Sequence, residues 1–63
     1  MKRLTIEREK IGMTKSDLAF ELRIQPAQLS KIENGRILPY EPSQKKLSNY
    51  FGLSIDELLQ EVQ

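Results

Sequence analysis

Cysteine, histidine and tryptophan are all absent from the 63 residues, and there are only two phenylalanines, two tyrosines, three glycines and three prolines. Without cysteine no disulfide or thiolate–metal staple can brace the chain, and a reducing compartment, the cytoplasm, is its natural setting. Without histidine as well there is no imidazole base, thiol nucleophile or zinc set, and no glycine-rich loop exists to cradle phosphates. The carboxylates of Asp17, Glu33, Asp56 and Glu57 are accounted for by capping and pairing. The expectation is therefore no enzyme, no cofactor, no metal and no small-molecule ligand. No apolar run approaches the length of a membrane span or a signal-peptide core, so no membrane partner is expected. Repeats, low-complexity tracts and linkers are missing too, which leaves one domain over residues 1–63, with a core near the marginal size.

Charge is present but unevenly placed. The net value is +1, yet residues 1–46 hold all ten Lys and Arg with six acids, a balance of +4, while residues 47–63 hold three acids and no base, a balance of −3. Such polarity suits a positive face laid on phosphates with the negative end held away. A solvated surface of mixed charge suits it equally.

The most informative stretch runs from Met13 to Gly35. Thr14 can cap the N–H of Asp17 while Asp17 reaches back to Thr14, a capping box, and Met13 and Leu18 can close over it as a hydrophobic staple. Leu18, Ala19 and Leu22 then form one apolar stripe. A second helix begins near Pro26, whose missing N–H suits the first helical position, with Ile24 and Leu29 as its staple. At about 100° of rotation per residue, Leu29 and Ile32 face the core with Glu33 at its edge. Ala27, Lys31 and Asn34 face away, Gln28 and Ser30 flank them, and Gly35 ends the helix. Two short helices joined by a tight turn are the layout of a helix-turn-helix, which presents one outer helix face to the major groove of DNA.

Three further helices follow from the same signals. One covers Arg3 or Leu4 to Ile11, ended by Gly12. Pro39 and Pro42 mark Arg36 to Pro42 as a loop. The next helix runs from Pro42 or Ser43 to Phe51, with Leu47, Tyr50 and Phe51 as its stripe. The last opens on Ser54 and Glu57, a second capping box, with Leu53 and Leu58 as staple. The fold class expected is all-α, a five-helix bundle with the helix-turn-helix at helices 2 and 3.

The segments Gly12-Met13-Thr14, Asp17-Leu18-Ala19, Leu29-Ser30-Lys31-Ile32-Glu33-Asn34-Gly35 and Phe51-Gly52-Leu53-Ser54-Ile55-Asp56-Glu57-Leu58-Leu59 together resemble the Cro/repressor-type (XRE-type) helix-turn-helix domains of phage repressors and small bacterial regulators. The resemblance spans about Leu4 to Leu59. It implies a lambda-repressor-like DNA-binding domain, a bacterial or phage setting, and a partly buried ion pair between Arg8 and Glu33. Departures are Lys15 where the family usually has Gln, Gln25-Pro26-Ala27 at the start of helix 3, and Glu7, Glu41 and Gln44 where it has leucines.

On this reading the function is sequence-specific binding of double-stranded DNA by a small transcriptional regulator, a repressor, with a recognition helix over Pro26–Asn34. Phosphate positioning falls to Thr14, Lys15, Gln25, Asn34 and Arg36, where free N–H groups, helix dipoles and cations favour an anion. Tyr40 is either a phosphate donor or a ring covering the gap under its loop. Base reading falls to Ala27, Gln28, Ser30 and Lys31: Lys31 suits guanine, Gln28 suits adenine bidentately, and Ala27 suits a thymine methyl. Ile55, Leu58, Leu59 and Val62 form a helical stripe to the end of the chain, which serves either as a homodimer seam or as a cap on the core. The alternative function is an antitoxin-like or accessory protein-binding module, suggested by the poor first turn of helix 3 and the acidic, apolar C-terminal end.

Overall fold

Local capping devices set where the helices begin. The computed structural model, which describes residues 1–62, is all-α, with α1 Arg3–Lys10, α2 Lys15–Leu22, α3 Pro26–Glu33, α4 Glu41–Phe51 and α5 Ile55–Leu58 among the described residues. Both capping boxes form: Thr14 Oγ1 accepts from the Asp17 N–H and Ser54 Oγ from the Glu57 N–H, each with the reciprocal bond to the cap backbone. Pro occupies the first turn of α3 and of α4, where no intrahelical N–H is needed.

Helix ends differ slightly from expectation. Ile11 is the C-cap of α1 and Asn34 that of α3, and α4 starts one residue before Pro42. The larger difference is at the C-terminus. Instead of carrying a helical stripe to Val62, α5 stops at Leu58, and the chain turns extended to pair with the N-terminus. Lys2 and Glu61 form an antiparallel bridge, with the Arg3 N–H donating to the Gln60 carbonyl at 2.8 Å and the Val62 N–H to the Met1 carbonyl at 2.7 Å. Lys2 Nζ and the Met1 amine reach the Glu61 carboxylate at 3.0 and 3.3 Å. Leu58 is fully buried, so it caps the core and is not available to a dimer seam.

The core is one cluster drawn from every helix, with two buried residues each from α2 and α3 and one each from α1, α4 and α5. Leu4, Leu18, Ala19, Ile24, Leu29, Ile32, Leu47 and Leu58 form it, with Met13, Leu22, Leu53, Ile55 and Leu59 packed around them. Each staple pair inferred from the sequence has both members in this cluster or against it. The positions where the resembling family has leucine are handled differently. Glu7 is half-buried between Arg3 at 3.4 Å and Lys10 at 3.5 Å, Gln44 Nε2 donates to the Pro39 carbonyl at 3.0 Å, and Glu41 is exposed. Polar pairing there replaces apolar packing, and Pro39, not the Tyr40 ring, fills the space beneath the loop: Tyr40 is 67% exposed and Pro39 is buried.

Candidate nucleic-acid interface

The candidate interface is built on α2, its following turn and α3. The turn has an unusual residue at its head. Arg23 adopts the left-handed conformation, φ 55° and ψ 44°, a region where a Cβ meets the following carbonyl oxygen. Its carbonyl accepts from Lys46 Nζ at 3.3 Å, so α4 reaches across to hold the turn. Ile24 then enters the core, and Gln25 caps α3 by backbone geometry alone, its side chain making no cap bond.

Behind α3 stands a buried polar brace. Arg8 Nε and Nη2 donate to Glu33 Oε2 and Oε1 at 3.0 and 3.1 Å, a bidentate pair, and Thr5 Oγ1 donates to the same Oε1 at 2.8 Å. Arg8 Nη1 also donates to the Met13 carbonyl at 2.6 Å. Both charged residues are 7% exposed. Four hydrogen bonds thus tie α1 to the start of the helix-turn-helix and to the last turn of α3, which meets the requirement that a buried ion pair be fully hydrogen-bonded. No buried side-chain N or O atom among the described residues lacks a partner.

With its inner face so fixed, α3 turns the other outward. Ala27, Lys31 and Asn34 are exposed, while Gln28 and Ser30 are half-buried on the flanks. Ser43 Oγ, at the first turn of α4, donates to Gln28 Oε1 at 3.2 Å. Gly35, at φ +74°, allows the chain to leave α3 sharply, and the Arg36 N–H closes the helix end by donating to the Lys31 carbonyl at 2.9 Å. Arg36 is exposed beyond it.

The expected phosphate-positioning residues lie at helix ends and in the loop after α3: Thr14 and Lys15 at the start of α2, Gln25 at the cap of α3, Asn34 and Arg36 at and after its end, and Tyr40 at the cap of α4. Thr14, Gln25, Asn34, Arg36 and Tyr40 are exposed and Lys15 is half-buried. Thr14 is already committed to the capping box. Its backbone N–H, and then its hydroxyl, hold the Asp17 carboxyl below the ordinary aspartate value, so Asp17 stays ionised at the head of α2. Charge is segregated in a way the sequence did not disclose. The cations of the N-terminus and α1 are taken up by acids, namely Lys2 by Glu61, Arg3 by Glu7 and Glu57, Arg8 by Glu33 and Lys10 by Glu7. Lys15, Arg23, Lys31, Arg36 and Lys46 have no acidic partner within 4.0 Å among the described residues.

A family model described as a helix-turn-helix domain matches residues 2–63. The chain belongs to the helix-turn-helix domain family. That family is typical of XRE-type DNA-binding domains, and the match supports DNA as the partner of this helix-turn-helix domain. No curated protein matches the chain. Two contacts of the helix-turn-helix escaped sequence reasoning. Ser43 sits four residues before the buried Leu47, so a small polar residue on the core side of α4 was a readable mark. Thr5 lies three residues before Arg8, on the same side of α1, and the same spacing would have placed it against Glu33.

Proposed function

We propose that this helix-turn-helix domain is a sequence-specific regulator of transcription that represses by occupying its operator, with α3 in the major groove. One observation carries the reading: the outer face of α3 is open, and Lys31 on it and Arg36 just beyond it are among the five cations without an acidic partner within 4.0 Å among the described residues. Lys31, near the middle of α3, is the principal base-reading side chain, with Ala27, Gln28 and Ser30 around it. Lys15 and Arg36, one at each end of the interface, take phosphates together with the N–H groups and side chains at Thr14, Gln25 and Asn34.

The molecule measures 27 × 25 × 22 Å, less than the spacing of about 34 Å between successive half-sites on one side of B-DNA. A single copy covers one half-site, so two copies on a palindromic operator are part of the proposal. With Leu58 buried, the seam is sought at the half-buried Ile55, Leu59 and Val62.

Titration onto duplex DNA at two salt concentrations tests the reading. Affinity is expected to fall steeply with salt, with a log–log slope near −0.9 for each phosphate neutralised. Arg36→Ala is expected to weaken all sequences alike and reduce that slope by about 1, while Lys31→Ala relaxes sequence preference. Sedimentation of the same mixtures reads whether two copies load per palindrome. A signal that is absent, or indifferent to salt, would instead favour a module whose main partner is a protein, the reading suggested by the lack of hydrogen-bond donors at Pro26 and Ala27.

A further inference from the structure

The side chain of Gln28, on the flank of α3, is hydrogen-bonded to another helix. Ser43 Oγ donates to its Oε1 at 3.2 Å, and Ser43 is only 6% exposed, so the hydroxyl is fixed in the interior of the fold. The segment that carries Ser43 is itself held: Gln44 Nε2 donates to the Pro39 carbonyl at 3.0 Å, and Leu47, one turn along α4, is fully buried. A glutamine side chain has three rotatable bonds and an amide that offers an acceptor at one fork and two donor hydrogens at the other. Left free at a protein surface it samples many rotamers, and ordering them on binding costs affinity.

We infer that Ser43 is a positioning residue for DNA readout: by holding Oε1 of Gln28 toward α4, it presents Nε2 outward as a fixed hydrogen-bond donor. The inference rests on the proposed docking of α3 in the major groove. A donor meets acceptors there, namely guanine O6 and N7, adenine N7 or thymine O4, and finds only another donor at cytosine N4. The consequence is that the base edge facing Gln28 is one that offers an acceptor, guanine, adenine or thymine, and that cytosine is rejected. The bidentate pairing with adenine, which needs Oε1 as well as Nε2, gives way to this one-ended contact.

Selection of bound sites from random duplexes with the full chain, Ser43→Ala and Gln28→Glu, each first checked by circular-dichroism melting, tests the inference. The unaltered chain is expected to enrich a site in which one position of one base pair discriminates against cytosine in favour of the bases that offer an acceptor. Ser43→Ala is expected to keep the rest of the site and to lose discrimination at that pair by about twofold to tenfold, the factor carried by one neutral hydrogen bond of ordinary strength. Gln28→Glu can still accept from Ser43 but has no donor, so the preference at that same pair moves to cytosine. A Ser43→Ala site identical to the original, or a loss spread evenly over all pairs, overturns the inference while leaving the regulator reading intact. Should Ser43→Ala not hold its fold, Ser43→Cys, similar in size and a weak donor, makes the same comparison. An unaltered chain that enriches no site overturns the regulator reading and this inference with it.

Discussion

Arg8 and Glu33 show how a single residue pair sets the limits on everything mounted above it. Each is nearly covered, and each is satisfied: the carboxylate accepts from Arg8 twice and from Thr5 once, and the guanidinium also donates to the Met13 carbonyl. Removing one partner leaves the other as an uncompensated buried charge, at a cost of about 3–5 kcal/mol. A domain of this size holds only a few kcal/mol in reserve, on the order of 0.05–0.15 kcal/mol per residue. Arg8→Ala or Glu33→Ala alone is therefore expected to leave the chain largely unfolded at room temperature. The double substitution removes both charges together, so its loss falls well short of the summed single losses. Melting curves of the three variants check this, and additive losses would mean that the pair is not coupled.

At the scale of the element, the turn between α2 and α3 carries a cost that no partner removes. Arg23 sits at φ 55° with an ordinary side chain, where the left-handed region is disfavoured by about 1–2 kcal/mol for residues other than glycine. Arg23→Gly relieves that strain but loosens the unfolded chain, so the net expectation is a gain of about 0.5–1 kcal/mol. Chemical denaturation of the two proteins reads it directly, and a lower midpoint for the glycine variant would show that the arginine side chain contributes contacts exceeding the strain. The turn also shows where sequence reading has reach. Both capping boxes and the facing of Ala27, Lys31 and Asn34 were legible, because each is decided within one or two helical turns by hydrogen-bond spacing or by rotation per residue. The left-handed Arg23 was not, since an arginine gives no local sign that it will take a conformation suited to glycine. The bond from Ser43 to Gln28 spans 15 residues, and the end of α5 was decided by pairing with the opposite terminus. Periodicity at Ile55, Leu58, Leu59 and Val62 implied a longer helix because apolar spacing alone does not register a competing set of backbone partners. In the candidate site, then, residue direction was readable and the Arg8–Glu33 pair was implied by the resemblance, while the bonds from Ser43 to Gln28 and from Thr5 to Glu33 were not anticipated.

Across the whole molecule the two chain ends form a clasp that bears on α3 through α1. Glu61 joins Lys2 and the Met1 amine, and the Lys2 ammonium, followed by the N-terminal amine, holds the Glu61 carboxyl below the ordinary glutamate range. The clasp fixes the start of α1, α1 packs on α5, and α1 carries the Arg8 that braces α3. A carboxyl whose folded value is depressed adds stability above its unfolded value and loses that addition as pH falls through the folded one. Glu61→Gln is therefore expected to melt slightly below the unaltered protein at neutral pH, with the gap closing on acidification through and below the glutamate range. Because Glu61 is exposed and its ion pairs are screened by water and salt, the gap should also narrow in high salt. Melting curves across pH at two salt concentrations check both trends, and a gap that persists unchanged in acid would mean that the Glu61 side chain acts other than through its charge. Base preference should survive the substitution, since the brace on α3 depends on Arg8, Glu33 and Thr5 and none of these touches the clasp directly. A changed operator preference in Glu61→Gln would show instead that the chain ends and α3 move as one mechanical unit.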